Sequence, residues 1–303
     1  MVWLVTAAQA SLAESSRIAV IYPDIHEPYL SIFREFISGI DEGFDGPLDL
    51  YPLGEGEELP KLRGWLEEKG IQVIIALGHR GSKAALELPA TFRVVIGAVT
   101  TIPDSGGHSV SGIILTPDPD RLFDQLQRLA PQVSRITVLY NPDRTGWLIE
   151  RASLAARARG LDLNALRCQD LRNAAGLYRE VLSKSLDDGK EAIWISQDPC
   201  TVDTRVILPM LLREAWDKKV ILFSSNPAHV KRGVLFSFFP DNVGAGRGLG
   251  ALAERYVQTD STGSTIMPLQ NLLTAVNLRT ADHLGLRFTS QQRRGFDLVF
   301  PAP

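Results

Sequence analysis

The chain has 303 residues, 45% of them hydrophobic and 22% charged, with a formal net charge of −3. That length suffices for two domains of ordinary size, each with its own core. The charge balance gives no electrostatic reason for a nucleic-acid or anionic-membrane partner.

Residues 1–13, reading MVWLVTAAQASLA, are short and apolar. Ala8-Gln9-Ala10 has the small-x-small form of a signal cleavage site, although no basic segment precedes it. Residues 1–16 are expected to be a signal-peptide remnant, with residues 1 to about 13 absent from the mature, exported protein or disordered in the full-length chain. No later stretch approaches the roughly 20 apolar residues of a membrane span.

Strands and helices then alternate. Ile18–Tyr22 is a short run of β-formers. Leu30, Phe33, Ile37 and Ile40 recur at helical spacing. Leu48–Tyr51 predicts a second strand. Leu62, Trp65 and Leu66 give one helix face, stopped by Gly70. Val73–Leu77 is continuously apolar, as in a strand buried on both faces. Val94–Ala98 and Gly112–Leu115 complete this stretch. Asp118 or Asp120 can cap a helix carrying Leu122, Leu126 and Leu129. Next come a strand at Ile136–Tyr140, a helix near 145–159 ended by Gly160, and a strand at Leu161–Arg167. A helix near 174–186, a strand at Ala192–Ser196, a helix near 203–217 and a strand at Val220–Phe223 follow. Helices are also predicted at Gly244–Val257 and Leu278–Leu284.

The second stretch repeats the first. Arg17-Ile18-Ala19-Val20-Ile21-Tyr22 is echoed by Arg135-Ile136-Thr137-Val138-Leu139-Tyr140, and three later strands echo in the same order at offsets of about 118 to 126 residues. Four ordered matches predict two copies of one α/β unit, each with a parallel sheet and right-handed crossovers. The expected fold is therefore α/β, two Rossmann-like lobes joined by a multi-crossover hinge. Residues 17–116 and 242–270 form the N-terminal lobe, and residues 117–241 and 271–303 the C-terminal lobe. The first strands, 18–22 and 136–140, should lie in separate sheets.

Open parallel sheets bind ligands beyond the carboxyl ends of their strands, at helix N-termini. The residues found there are Asp24 and His26; His79, Arg80 and Ser82; Thr100 and Thr101; Asn141; Asp198; and Ser224 with Asn226. Each loop also reads as ordinary turn and cap chemistry. The case rests on the set, because all fall at the same end of their strands. Asp198 is the expected charged contact, to a ligand ammonium; its alternative role is an N-cap for a helix beginning near Thr201 or Asp203. Trp147 follows the Asn-Pro-Asp turn and either stacks on ligand or packs.

Enzyme constellations are weak. The five histidines lack metal-ligand spacing, no GxSxG elbow occurs, and there is no Walker loop. No catalytic residue, metal or cofactor is expected. Gly246-Arg247-Gly248-Leu249-Gly250-Ala251 fits GxGxxA formally, but close helix packing explains its small residues better than dinucleotide binding. In a sheet ordered 2-1-3 a strand would separate Cys168 from Cys200, beyond disulfide reach.

Several segments together resemble the TrpX-like solute-binding proteins of ABC transporters. They are Ala98-Val99-Thr100, Gly112-Ile113, Val138-Leu139-Tyr140-Asn141-Pro142, and Phe239-Pro240-Asp241 followed by Gly246-Arg247. Ala275–Leu286 is similar to the family's VNLKTAKALGL segment. The resemblance covers nearly the whole chain after Ser16. It implies a type I periplasmic-binding-protein fold, three crossovers, periplasmic location, an inner-membrane ABC permease as partner, and a ligand closed between lobes. It adds Asp241 to the site. Thr101 stands where the family often has Asp, and His79-Arg80 where small or hydroxyl residues are common. Those departures weigh against an amino acid and suit a carboxylate or other anionic group. The expected ligand is an amino acid or another small polar or anionic solute, bound by a monomer through hinge closure. A sensory module of the same fold without transport, and a two-lobed α/β enzyme, are the alternatives.

Overall fold

Short β-branched runs set between amphipathic helices bury both faces of a parallel sheet, and that pattern is what forms. The computed structural model describes residues 17–56, 59–101, 108–185, 189–259 and 263–301. The expected signal remnant lies outside the described residues. In chain order the elements begin β1 (Ile18–Pro23), α1 (Tyr29–Gly43), β2 (Leu48–Leu53), α2 (Leu59–Glu68), β3 (Val73–Leu77), α3 (Gly78–Leu86), β4 (Arg93–Val99) and β5 (Val110–Pro117). They continue with α4 (Pro119–Leu129), β6 (Arg135–Tyr140), α5 (Pro142–Ala158), β7 (Asp162–Arg167), α6 (Leu171–Lys184), β8 (Glu191–Ile195), α7 (Ile207–Asp217), β9 (Ile221–Ser224), α8 (Ala228–Arg232) and β10 (Phe236–Pro240). The last are α9 (Asn242–Gln258), β11 (Ile266–Leu269), β12 (Leu272–Asn277), α10 (Leu278–His283), α11 (Ser290–Arg294) and β13 (Leu298–Phe300).

Two units result. One runs to Leu115 and resumes over Asn242–Met267; the other comprises Thr116–Asp241 and the chain from Pro268 onward. The first sheet has the order β11-β5-β4-β3-β1-β2, the second β13-β12-β10-β9-β8-β6-β7. The first strands, β1 and β6, lie in separate sheets, and each sits between its unit's second and third strands. Parallel registers Ile18↔Val73 and Arg135↔Glu191 are equivalent in the two copies.

The tail breaks the duplication. β12 runs antiparallel to β10, with Phe236 opposite Val276, and β13 then pairs parallel to β12. Neither strand was expected from the sequence.

In the first unit all five residues of β3 are buried, as its apolar run requires. Helices α1 and α9 pack with their backbones nearly touching. A Cβ on Gly246 would lie 2.2 Å from the carbonyl oxygen of Phe36, and one on Gly39 would lie 1.9 Å from that of Val243. The small residues of the GxGxxA stretch therefore permit a helix contact that any side chain would prevent.

The second unit's core is aromatic. Trp194 meets Phe123 edge-on at 5.7 Å, and Phe223 stacks on Phe236 at 5.3 Å. Such offset and edge geometries suit ring quadrupoles. The indole N–H of fully buried Trp194 donates to Ser225 Oγ at 2.9 Å, so no polar group is stranded there.

Candidate functional site

In the first unit the carboxyl edge is built by β1, β3 and β4. Asp24 and His26 follow β1 and are exposed. The Asp24 N–H donates to Leu53 O at 2.9 Å, tying this loop to the end of β2. No loop follows β3. The Gly78–Ser82 segment, read partly as a loop, is already helix α3, and Gly78 turns the chain at φ 73°. The first turn of α3 has no side-chain cap, so its amide N–H groups remain open to an acceptor. His79 is exposed there. Arg80 pairs with Glu55 through Nη2 at 2.8 Å, while its buried Nη1 has no partner. Ser82 departs from its expected role: it is fully buried, and its hydroxyl donates to Gly78 O at 2.8 Å inside the helix.

Strand β4 ends irregularly. Its register with β5 shifts between Ile96 and Val99, and Ala98 takes the left-handed conformation at φ 56°. A non-glycine residue there is strained. The kink delivers Thr100 and Thr101, both exposed, at the strand end.

In the second unit the edge is organised around Asp198, and this corrects the expectation for it. Its side chain is not presented to solvent: the residue is 1% exposed. Oδ2 accepts the Asn141 N–H at 2.8 Å and the Thr145 hydroxyl at 2.8 Å, and Oδ1 accepts the Cys200 N–H at 3.0 Å. Three internal donors occupy the carboxylate, so it acts by holding the β6 and β8 loops together. Nor does it cap α7. That role falls to Asp203, whose carboxylate accepts the N–H of Ile207 at 2.8 Å and those of Val206 and Arg205. These backbone donors, Ile207 first, hold its carboxyl below the usual range.

Asn141 caps α5 through Oδ1, which accepts the Asp143 N–H at 3.0 Å. Its Nδ2 faces Cys200 Sγ at 3.6 Å. The loop thus folds back across the end of β6, and the separation expected for the cysteines does not hold. Cys168 Sγ lies 3.2 Å from Cys200 O. Both thiols are free. Burial pushes the Cys168 thiol up to about 11.

Ser224 is likewise buried and internally paired. A 2.9 Å hydrogen bond joins its hydroxyl to His229 Nδ1, and it accepts the Asn226 N–H at 3.0 Å. Burial lowers the pKa of His229. Asn226 is half-buried, with Oδ1 accepting the Ala228 N–H at 3.0 Å. Asp241 directly follows β10, its N–H donating to Asn271 O at 3.1 Å. Trp147, in the first turns of α5, is 39% exposed.

Gln197 belongs to the same strand-end loop as Asp198 but was not among the expected site residues. It lies two residues beyond β8, and its Nε2 donates to Ser225 O at 2.7 Å. Its buried Oε1 has no partner. Its place, two residues beyond β8's carboxyl end and next to Asp198, was the available signal.

Each edge therefore combines internally satisfied residues that shape the loops with a few unsatisfied groups. The described residues contain no cluster of His, Cys, Asp and Glu able to hold a metal, and no helix long and apolar enough to cross a membrane.

A ligand-free, open substrate-binding protein with adhesive properties from Clostridium difficile is 15% identical, covering 95% of this chain and 100% of that one, with a TM-score of 0.65. An ABC domain from Streptococcus pneumoniae, in complex with L-Trp, is 16% identical over 94% and 100% of the two chains, with a TM-score of 0.54. A conserved domain protein from Vibrio cholerae is also 16% identical, over 94% and 100%, with a TM-score of 0.53. At such identity the likeness carries the fold alone, that of type I periplasmic binding proteins. No curated protein matches the chain. The family model for ABC transporter substrate binding proteins matches residues 57–291, most of both units. The chain belongs to the ABC transporter substrate binding protein family.

Proposed function

We propose that the protein is an exported, periplasmic receptor for an ABC importer, capturing one small solute between its two units and presenting it to an inner-membrane permease. Closure around the ligand, with no bond made or broken, is the working step. The observation that carries this reading is the pair of unsatisfied groups just beyond equivalent strands. Arg80 Nη1 follows β3 and Gln197 Oε1 follows β8, the third strand of each unit. One is a cationic donor beside an uncapped helix N-terminus; the other is a neutral acceptor. Taken one unit at a time, an anionic group would satisfy Arg80 Nη1 and an N–H or ammonium donor would satisfy Gln197 Oε1; a zwitterion carries both. A buried polar group left without a partner costs about 1–3 kcal/mol, so its satisfaction on binding is a real driving force.

The chain crosses between units after Leu115, Asp241 and Met267. Two of these passages lie within β5 and β11, neighbours in one sheet. Extended segments of this kind are suited to absorb a hinge rotation. Asn141, Thr100, Thr101, His79, Asp24, His26, Asn226 and Asp241 then serve as surrounding polar contacts. Asp198, Ser82 and Ser224 position the loops.

The test is a thermal-shift screen of small zwitterions, matched carboxylic acids and matched amines. A ligand that binds only the native state stabilises it by about 2.7 kcal/mol at 100 times its Kd. The reading predicts that zwitterions or acids raise the melting temperature, and that Gln197→Ala and Arg80→Ala each abolish most of the shift. Shifts from amines alone, or shifts untouched by both substitutions, would overturn it.

A further inference from the structure

The second unit holds a cavity of about 800 Å³ far from the carboxyl-edge loops. It lies between the end of α7, the turn after α8, and the ends of β12 and β13. The parallel strands β9 and β10 begin at this edge. Antiparallel β12 ends there beside Phe236, and Asn277 of β12 is level with Phe300 of β13. The loops carrying Asn141, Gln197 and Asn226 occupy the opposite edge.

The cavity's lining is charged in one sense. Arg213, Lys231, Arg232 and Arg279 face it against a single carboxylate, Asp217. Among the described residues none of Arg213, Lys231 and Arg279 is paired with a carboxylate. Arg232 donates to Thr204 O at 2.9 Å. The wall is apolar, with Leu212, Phe300 and Pro301. Trp216 is fixed on one side by His283, whose ring stacks at 3.5 Å and whose Nε2 bonds Trp216 O at 2.9 Å. The Arg279 guanidinium sits 5.9 Å from the Trp216 ring centre, close enough for a cation–π contact that orients it. A chain with net charge −3 has thus gathered four cations around one apolar hollow.

We propose that this cavity is a second ligand site and that it takes a small organic anion, a carboxylate, sulfonate or phosphate ester with an apolar body. Unpaired guanidinium groups supply bidentate donors to such an anion. The apolar wall receives the body, as in ligand pockets with few polar groups on a hydrophobic lining. The site is independent of the solute receptor proposed above, and the two stand or fall separately.

The probe is 8-anilinonaphthalene-1-sulfonate, an aromatic anion, titrated into the full chain and followed by fluorescence. Its neutral analogue N-phenyl-1-naphthylamine serves as comparison. One saturable site is expected, weakened at least about tenfold by Arg279→Glu and by Arg213→Glu, and weakened by added salt. Gln197→Ala should leave it unchanged. Both arginines are exposed, and melting curves of the variants serve as the control for folding. Charge-reversed variants that bind the sulfonate as tightly as the parent protein would overturn the assignment. So would equal affinity for the neutral analogue, or binding lost with Gln197→Ala. Binding only to phosphatidylglycerol vesicles, with none to the soluble sulfonate, would replace a soluble anion with a membrane surface.

Discussion

Replacing Asp198 by Ala should unsettle the second unit before it affects any ligand. The carboxylate is 1% exposed and accepts three hydrogen bonds. Its removal does not strand all three donors. The Thr145 hydroxyl also lies 3.1 Å from Asn141 O and can turn to it. The N–H groups of Asn141 and Cys200 are the ones left without partners. Each costs about 1–3 kcal/mol when buried. Water can reach the half-buried Asn141 side, so the sum should fall near the lower half, about 2–4 kcal/mol. For a unit of this size a loss of 1 kcal/mol lowers the melting temperature by roughly 2–4 °C. A drop of about 5–15 °C in a calorimetric melt is therefore expected. Solute affinity should fall too, because the β6 and β8 loops lose their common anchor. A melting temperature within 1–2 °C of the parent's (roughly a 0.5 kcal/mol change), together with a large loss of affinity, would refute the reasoning. Asp198 would then be a direct ligand contact after all.

Gly246→Ala tests the contact between α1 and α9. Alanine gains about 1 kcal/mol of helix propensity, but its Cβ meets a backbone carbonyl at 2.2 Å, and backbone cannot swing aside. Overpacking of that severity costs about 3 kcal/mol or more, so the first unit should be destabilised by roughly 2 kcal/mol or more in urea; a neutral or stabilising result would contradict the packing. His229 gives a pH signature. Its folded pKa is depressed below the ordinary 6.5 by burial, so its contribution is complete above 6.5 and is lost as pH falls through the lowered value. His229→Gln should flatten that acid-side decline in denaturation midpoint, and an unchanged slope would count against it. The thiols should react unequally. Cys168, buried and with its pKa raised to about 11, should resist iodoacetamide at pH 8 while half-buried Cys200 is labelled first; equal labelling by peptide mass spectrometry would contradict the placement.

The sheets were legible because their signal is local. Val73–Leu77 reads as a doubly buried strand from its own five residues, and the echo of Ile18–Tyr22 in Ile136–Tyr140 marks the duplication. Helix α3 was partly hidden because Gly78 and Gly81 look like loop residues. Gly78 is needed for its positive φ, and a Cβ at Gly81 would approach Ile21 O at 3.0 Å. The tail strands β12 and β13 have no counterpart in the repeat, so the comparison that revealed the other strands could not reveal them. The site was legible as a set of strand ends but not as a set of roles. Asp198 looks like a free carboxylate until Asn141, 57 residues earlier, is brought to it. Ser82 and Ser224 look like ligand hydroxyls, yet their partners, Gly78 O and His229, are local and could have been suspected from i−4 and i+5 spacing. The closeness of Cys168 to Cys200 depends on that same Asp198-held loop crossing the end of β6, which strand order alone does not disclose.

The central claim, that the protein captures a small solute reversibly and leaves it unchanged, is tested most directly by native mass spectrometry of gently purified protein. The account predicts a one-to-one adduct of small mass that is released intact on unfolding and rebinds to the stripped protein with the same stoichiometry. A released molecule chemically altered on re-addition, or a stripped protein that rebinds none of its own released material, would contradict it.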